Sequence, residues 1–145
     1  MKLPIFYEVN NMRYRVKCPS CGKVQDLPAN GNCGCGAPLS VFNDGCIRIY
    51  RMGNPIGIAV GMGIYIDNQP YGLLGNTETV MIPLSAGRHL LHMTHGMNRR
   101  CTDVTFDIAP GSNTLLCYKA HIRMGAFTNT VVIEPAKFED MPQMD

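Results

Sequence analysis

The sequence lacks a long apolar run, a strong charge of either sign and, near its start, the uninterrupted apolar stretch that is typical of a secretory signal. The stretch 56–66 is apolar, but glycines interrupt it and it is shorter than the roughly 18 residues that a membrane-spanning helix needs. The net charge of +2 is too small to indicate a nucleic-acid partner by itself. Residues 1–17 include Glu8 and two asparagines, which break the apolar stretch of a signal peptide. We therefore expect no transmembrane segment and a cytoplasmic location.

A helical pattern is also missing, because no window shows apolar residues at helical spacing. Hydrophobic residues nevertheless make up 46% of the chain, which is enough for a packed core. Period-two alternation is clear at 80–84, 104–108 and 116–122. The sequence therefore predicts an all-β fold, in which a small zinc-binding unit precedes an antiparallel β-sandwich.

Glycine, asparagine and proline divide the second part of the chain into short runs. Strands are predicted at 46–51, 57–60, 63–67, 71–74, 79–84, 88–94, 102–108, 114–123 and 128–134. Asp67-Asn68 is predicted to be a two-residue hairpin turn, because both residues tolerate positive φ better than most. The predicted domains are a zinc ribbon at 1–43, a sandwich at 46–135 and a flexible acidic tail at 136–145.

Four cysteines lie within eighteen positions near the start of the chain: Cys18, Cys21, Cys33 and Cys35. A glycine follows each pair and lets the backbone amides turn toward the sulfurs. Zinc binds four thiolates in closed structural sites, and so short a segment needs such a staple to fold. We predict a structural Zn²⁺ on these four side chains, with no coordination position left for catalysis.

The second cysteine pair is tighter than the first, with one residue rather than two between its members. Cys46 is the alternative fourth ligand, in place of Cys33 or Cys35. The total of seven cysteines is odd, and the first four are spaced for metal rather than for disulfides. Thiolate metal sites and unpaired cysteines fit a reducing compartment.

Three histidines, His89, His92 and His95, invite a second metal hypothesis that strand geometry opposes. At about 3.3 Å per residue, His89 and His95 lie about 20 Å apart on one face, whereas His92 points to the other. His89 is predicted to stabilise a turn or to lie at the surface.

Two further thiols, Cys101 and Cys117, remain without an assigned role. A catalytic pair of a cysteine with His92 or His121 is an alternative, but no sequence feature brings such groups together.

Basic and aromatic residues alternate just before the first cysteine pair, at Arg13, Tyr14, Arg15 and Lys17. A strand of this type can follow phosphates while its ring stacks on a base. The alternative is a solvated face of a small hairpin. This segment is the nucleic-acid candidate of the chain.

Two resemblances cover most of the sequence. Residues 1–42 resemble a zinc ribbon, with the four cysteines above on the ligand positions. The motifs Ile47-Arg-Ile-Tyr-Arg51, Gly63-Ile-Tyr-Ile-Asp-Asn-Gln-Pro-Tyr-Gly72 and Ile82-Pro-Leu-Ser-Ala-Gly-Arg-His-Leu-Leu91 resemble the PEGA-like domains and a related uncharacterised bacterial family. Here Ala86-Gly87-Arg88-His89 replaces the family's Pro-Gly-x-His, and Asn68 stands where glycine is frequent. The resemblance implies a transthyretin-like or immunoglobulin-like sandwich that binds or supports other molecules, and it implies no catalytic residues.

The sequence thus predicts a non-enzymatic zinc-binding protein that recognises a protein or a ligand of unknown identity. The alternative is a nucleic-acid-associated zinc-ribbon protein. Open sheet edges would also allow two copies to pair as a homodimer.

Overall fold

The structure is a computed structural model that describes residues 12–39, 44–53 and 60–141. Within these ranges the chain is nearly all β, as predicted, with one short 3-10 helix at Phe138–Asp140. The strands are β1 (Met12–Lys17), β2 (Val24–Asp26), β3 (Gly45–Arg51), β4 (Met62–Ile66), β5 (Gln69–Leu74), β6 (Thr79–Leu84), β7 (Gly87–His95), β8 (Cys101–Thr102), β9 (Val104–Ile108), β10 (Thr114–Arg123) and β11 (Thr130–Ala136). The strand predicted at 57–60 lies almost entirely outside the described residues. None of the described residues forms a helix with the length and apolar character needed to cross a bilayer.

The strands form two sheets that pack their apolar faces together. One sheet has seven strands in the order β2-β1-β6-β3-β10-β11-β8, and the other has four in the order β5-β4-β7-β9. Side chains that alternate along β3 and β6 pack against those of β4 and β7 in one continuous core. Its fully buried members include Ile47, Ile49, Ile64, Val80, Ile82, Leu91 and Met93. We call residues 44–136 the two-sheet body.

The prediction of purely antiparallel strands is wrong for the larger sheet. The four-stranded sheet is antiparallel throughout. In the seven-stranded sheet, β1 is parallel to β6, β3 to β10 and β11 to β8. Alternation of apolar side chains could not reveal this difference, since it has the same period in parallel and antiparallel strands.

The first strand belongs to the larger sheet as well as to the cysteine-rich segment. β1 pairs with β2 in antiparallel fashion, and its first half pairs with β6 from Met12↔Thr79 to Tyr14↔Met81. Backbone hydrogen bonds therefore connect residues 12–39, which we call the N-terminal segment, directly to the two-sheet body.

The hairpin turn predicted between β4 and β5 is confirmed. Asp67 and Asn68 have φ values of 53° and 67°, and Ile66 pairs with Gln69 across the turn. Positive φ at both central positions is the geometry that two-residue hairpins favour. The Asp67 carboxylate also accepts a hydrogen bond from the Leu90 amide of β7 at 2.9 Å, which holds the turn against the sheet.

Asp44, the residue before β3, joins two loops of the body. Its carboxylate accepts hydrogen bonds from the amides of Ala86 and Gly111, both at 2.8 Å. These amides, that of Gly111 first, hold the pKa of Asp44 below its usual value. Its own carbonyl accepts the amide of Asn113 at 2.7 Å. The junction between the predicted domains is therefore fixed by hydrogen bonds.

The C-terminal part of the described chain packs on the outer face of the larger sheet. β11 ends at Ala136, which pairs with Cys117. The Arg48 guanidinium lies over the Phe138 ring, 5.0 Å from its centroid, and Met141 is buried. The tail predicted at 136–145 thus begins at the last residue of β11, and residues 142–145 lie outside the described part.

Candidate metal centre and the adjacent cleft

The first cysteine pair lies in a turn that leaves β1 and returns as β2. The Cys18 amide donates to the Lys23 carbonyl at 2.8 Å, and the Gly22 amide donates to the Cys18 carbonyl at 2.9 Å. Gly22 has φ +80°, a value that a residue with a Cβ adopts only with strain. The amides of Ser20 and Cys21 donate to the Cys18 sulfur, both at 3.4 Å. The turn therefore directs backbone donors at a sulfur, as a thiolate ligand requires.

The second pair forms the same turn with one residue fewer. The Cys33 amide donates to the Ala37 carbonyl at 2.8 Å, and the Gly36 amide donates to the Cys33 carbonyl at 2.9 Å. Gly36 has φ +98° and takes the place that Gly22 holds in the first turn. Gln25 of β2 adds a side-chain donor to the Cys33 sulfur at 3.3 Å. The tighter spacing of this pair is therefore accommodated by a shorter version of the same turn.

The two turns bring all four sulfurs together, as the spacing predicts. The sulfurs of Cys18, Cys21, Cys33 and Cys35 lie within 4.8 Å of one another, and we call them the cysteine cluster. Cys18 is 3.6 Å from Cys35, and Cys21 is 3.6 Å from Cys33, so neither pair is a disulfide. Sulfurs about 2.3 Å from a tetrahedral zinc ion would be about 3.8 Å apart. The cluster therefore has the size of a four-thiolate zinc site.

Protonation within the cluster is uneven. The Cys35 amide and the Gln25 side chain lower the pKa of Cys33 to about 6. The pKa of Cys18 is also lowered, chiefly by the Cys21 amide. For Cys35, the Ala37 amide lowers the pKa, but thiol contacts with Cys18 and Cys33 outweigh it and raise the value to about 11. Hydrogen bonds thus lower the pKa of the two buried thiols, Cys18 and Cys33, and an ion that binds the cluster would have to displace the proton held at Cys35.

Cys46, the alternative fourth ligand, lies outside the cluster. It is in β3, where its thiol approaches the Ile47 carbonyl at 3.6 Å. Burial raises the pKa of Cys46 to about 12, so its thiol is kept protonated. Cys33 and Cys35 therefore both remain in the set of four.

The N-terminal segment is attached to the four-stranded sheet by side chains as well. The Arg15 guanidinium donates to the Tyr71 carbonyl of β5 at 2.9 Å and to Asp26 at 3.1 Å. It lies against Gly72, where an added Cβ would be 2.9 Å from a guanidinium nitrogen. Gln69 donates to the Gly22 carbonyl at 3.3 Å. The absence of a side chain at Gly72 is what permits this close approach.

A cleft of about 730 Å³ separates the first cysteine turn from the two-sheet body. One wall is formed by 16–22, and the other by Ile66, Asp67, Gln69, Tyr71, 83–85 and His89. The volume is within the range of small-molecule sites. Lys17, Ser20, Asp67 and Ser85 give this cleft charged and hydroxyl groups of both donor and acceptor type.

The nucleic-acid candidates are only partly presented to solvent. Arg15 is engaged with Tyr71 and Asp26, as described above, and Tyr14 is half-buried. Burial, with Cys46 nearby, raises the pKa of Tyr14 to about 12. Lys17 is exposed and lines the cleft, and the side chain of Arg13 lies outside the described part. Arg15 and Tyr14 are thus less available to phosphates and bases than their pattern in the sequence indicates.

The histidines of β7 occupy different environments. His89 is buried, and its two ring nitrogens contact Asp67 at 2.7 Å and the Ser85 carbonyl at 2.8 Å. The His89 ring thus ties the turn at Asp67 to the loop before β7. His92 lies instead with Cys101 and Asp103, a grouping that sequence reasoning missed.

The comparisons with known proteins leave the site to be judged on its geometry. No protein-family model, curated protein sequence or solved structure significantly matches this chain.

Proposed function

We propose that the protein is a non-enzymatic recognition module whose N-terminal segment is folded by a structural zinc ion. The observation that carries this proposal is the convergence of four thiol sulfurs within 4.8 Å, with backbone amides directed at them. Four thiolates fill the tetrahedral shell of Zn²⁺, which leaves no position for a reacting water. The ion would therefore act on the fold rather than on a substrate.

The proposed recognition surface is the cleft beside the cluster. Its zinc-side wall consists of the turn that carries Cys18 and Cys21, so zinc would set the position of that wall. Its opposite wall belongs to the two-sheet body, which has an apolar core of its own. The two walls are connected by the pairing of β1 with β6 and by the hydrogen bond from Arg15 to Tyr71. This arrangement supports a role in binding a small polar ligand or a peptide. The zinc-ribbon and PEGA-like resemblances of the sequence agree with this proposal.

The first part of the test is metal analysis of protein purified without chelator. We expect a four-thiolate zinc site, seen after replacement by Co²⁺ as an intense sulfur-to-metal charge-transfer band. Cys21→Ser should remove the band, whereas Cys46→Ser, a matched change outside the cluster, should leave it intact. Folded protein with an ordered N-terminal segment and no bound metal would contradict the structural role.

The second part concerns the cleft. Affinity capture with the zinc-loaded protein should recover partners that are lost with Ser85→Trp, which fills the cleft, and kept with Ser112→Trp at an exposed loop. Filter binding to nucleic acid across a salt series runs in parallel. Steeply salt-dependent affinity that disappears on replacing Arg13 and Arg15 would overturn the proposal in favour of a nucleic-acid function.

A further inference from the structure

A second set of metal-type side chains lies where the chain crosses from one sheet to the other. The ligand atoms of His92, Cys101 and Asp103 all lie within 4.8 Å of one another. His92 Nδ1 and a carboxylate oxygen of Asp103 form a hydrogen bond of 2.7 Å, which coordination of an ion would replace. We propose that these three side chains bind a divalent transition-metal ion of the Zn²⁺ class, with one coordination position open to water or an added ligand. This inference does not depend on the function proposed above.

The backbone positions of the three residues are set by the fold. β7 pairs with β9 up to Leu91↔Val104, and the same register places His92 opposite Asp103. Cys101 is in β8, which pairs with β11 in the other sheet at Val131↔Cys101. Asp103 therefore lies between Thr102 of β8, in the seven-stranded sheet, and Val104 of β9, in the four-stranded sheet. Both sheets hold the backbone of the site in place before an ion binds.

Further hydrogen bonds hold the crossing segment in place. The Val131 amide donates to the Arg100 carbonyl at 2.9 Å, and the Ile133 amide donates to the Thr102 hydroxyl at 2.9 Å. The Met93 amide donates to the Cys101 sulfur at 3.4 Å. This contact has the same length as each of the two amide contacts to the Cys18 sulfur, and it directs one backbone donor at the Cys101 sulfur.

The three donors match the chemistry of zinc. Imidazole nitrogen, thiolate sulfur and carboxylate oxygen are its three protein ligand types, and three of them with one open position form the open class of zinc site. The side chains of His92 and Asp103 are 23% and 43% exposed, so an ion can enter from solvent. Burial raises the pKa of Cys101 to about 11, and metal binding therefore has to displace a proton.

The chain contains a matched control for this site. His121 and Glu134 form a similar surface pair across β10 and β11, with Nε2 2.6 Å from a carboxylate oxygen. Within the described ranges, that pair belongs to no group of three metal-type ligands, whereas His92 and Asp103 do. The difference between the two pairs is the thiol of Cys101.

The test uses the full chain, stripped of metal and reloaded with Zn²⁺ or Co²⁺ alone. After desalting, we expect two equivalents of metal in the wild type and in His121→Gln. Cys101→Ser and His92→Gln should each hold one equivalent with unchanged circular dichroism. Equal metal content in the wild type, Cys101→Ser and His92→Gln would overturn the proposal.

A second variant separates this inference from the function proposed above. Cys21→Ser should lose the intense band of the cysteine cluster and keep a weaker charge-transfer band from the single Cys101 thiolate. A wild type with one equivalent that Cys21→Ser abolishes would refute the second site and leave the first. One equivalent that only Cys101→Ser and His92→Gln abolish would support the second site and refute the first.

Discussion

The N-terminal segment and the two-sheet body bury very different amounts of apolar surface. Among the described residues, the segment buries Val16, Cys18, Cys33 and Leu39, two of which are the proposed ligands themselves. The body buries a continuous core that extends across both sheets, from Ile47 in β3 to Ile133 in β11. An apolar core stabilises in proportion to its buried area, and the segment has too little of it to fold alone. We therefore expect the segment to need the proposed zinc ion of the cysteine cluster in order to fold, whereas the core of the body should fold without that ion.

The two regions are nevertheless joined by direct hydrogen bonds. β1 takes its second partner from the body, and Arg15 reaches across to Tyr71. Hydrogen bonds to β6 and β5 therefore contribute to the stability of the segment.

The largest expected effect is the loss of zinc. Structural zinc contributes about 10–16 kcal/mol to zinc-finger peptides, far more than the small core of the segment can replace. A strong chelator should abolish the hydrogen-exchange protection of the Cys18 and Cys33 amides, which now bond to Lys23 and Ala37. Amides of β4, β7 and β10 should stay protected, because the core of the body contains no metal ligand of the cysteine cluster. Mass spectrometry with peptide resolution measures both.

Uniform loss of protection throughout the chain would show that the body also needs the ion. Unchanged protection of Cys18 and Cys33 after complete loss of zinc would show that contacts with the body suffice for the segment. Either result would contradict the division drawn above.

A smaller effect is expected at the contact between the regions, from Gly72→Ala. Gly72 has φ +100°, and its added Cβ would lie 2.9 Å from the Arg15 guanidinium. Strain of this kind lowers the free energy of unfolding by about 1–3 kcal/mol. We also expect the Arg15 guanidinium to lose its hydrogen bond to the Tyr71 carbonyl. Urea denaturation of the zinc-loaded protein measures the loss.

Two further variants test whether the contact of the Cβ added at Gly72 with Arg15 causes this loss of stability. Gly111 has φ +63° and no atom within 4 Å of an added Cβ. Gly111→Ala should therefore lower the free energy of unfolding less than Gly72→Ala does. Arg15→Ala should cost less in the Gly72→Ala background than in the wild type, since the contact is already broken there. Equal costs in both backgrounds would mean that Arg15 does not connect the regions.

The smallest effect should come from Asp44→Asn in the body. The pKa of Asp44 is lowered in the folded chain, so its contribution is complete above the ordinary aspartate pKa and is lost as the pH falls through the folded value. The variant should therefore be less stable than the wild type at pH 7, and the difference should shrink below about pH 4. Thermal unfolding at several pH values measures this. A difference that is constant with pH would assign the effect to packing instead.

Local features were the most predictable part of the structure. The turn at Asp67-Asn68 depends on adjacent residues that tolerate positive φ, and the cysteine cluster depends on two short turns whose cysteine and glycine spacing is typical of thiolate zinc sites. The predicted strand at 102–108 shows the limit. Its alternation continues through Asp103, yet the chain changes sheets there and forms β8 and β9. Alternation reports which side of a strand is buried and not which sheet it joins.

The sequence by itself determined the β character of the chain, its hairpin turn and the set of four cysteines, because short-range spacing controls each of them. Tertiary structure alone decided the parallel pairing of β1 with β6, the cleft beside the cluster and the meeting of His92 with Cys101 and Asp103. These features join residues that are distant in the chain or on different sheets. Their positions follow from register and core packing, which no local pattern encodes.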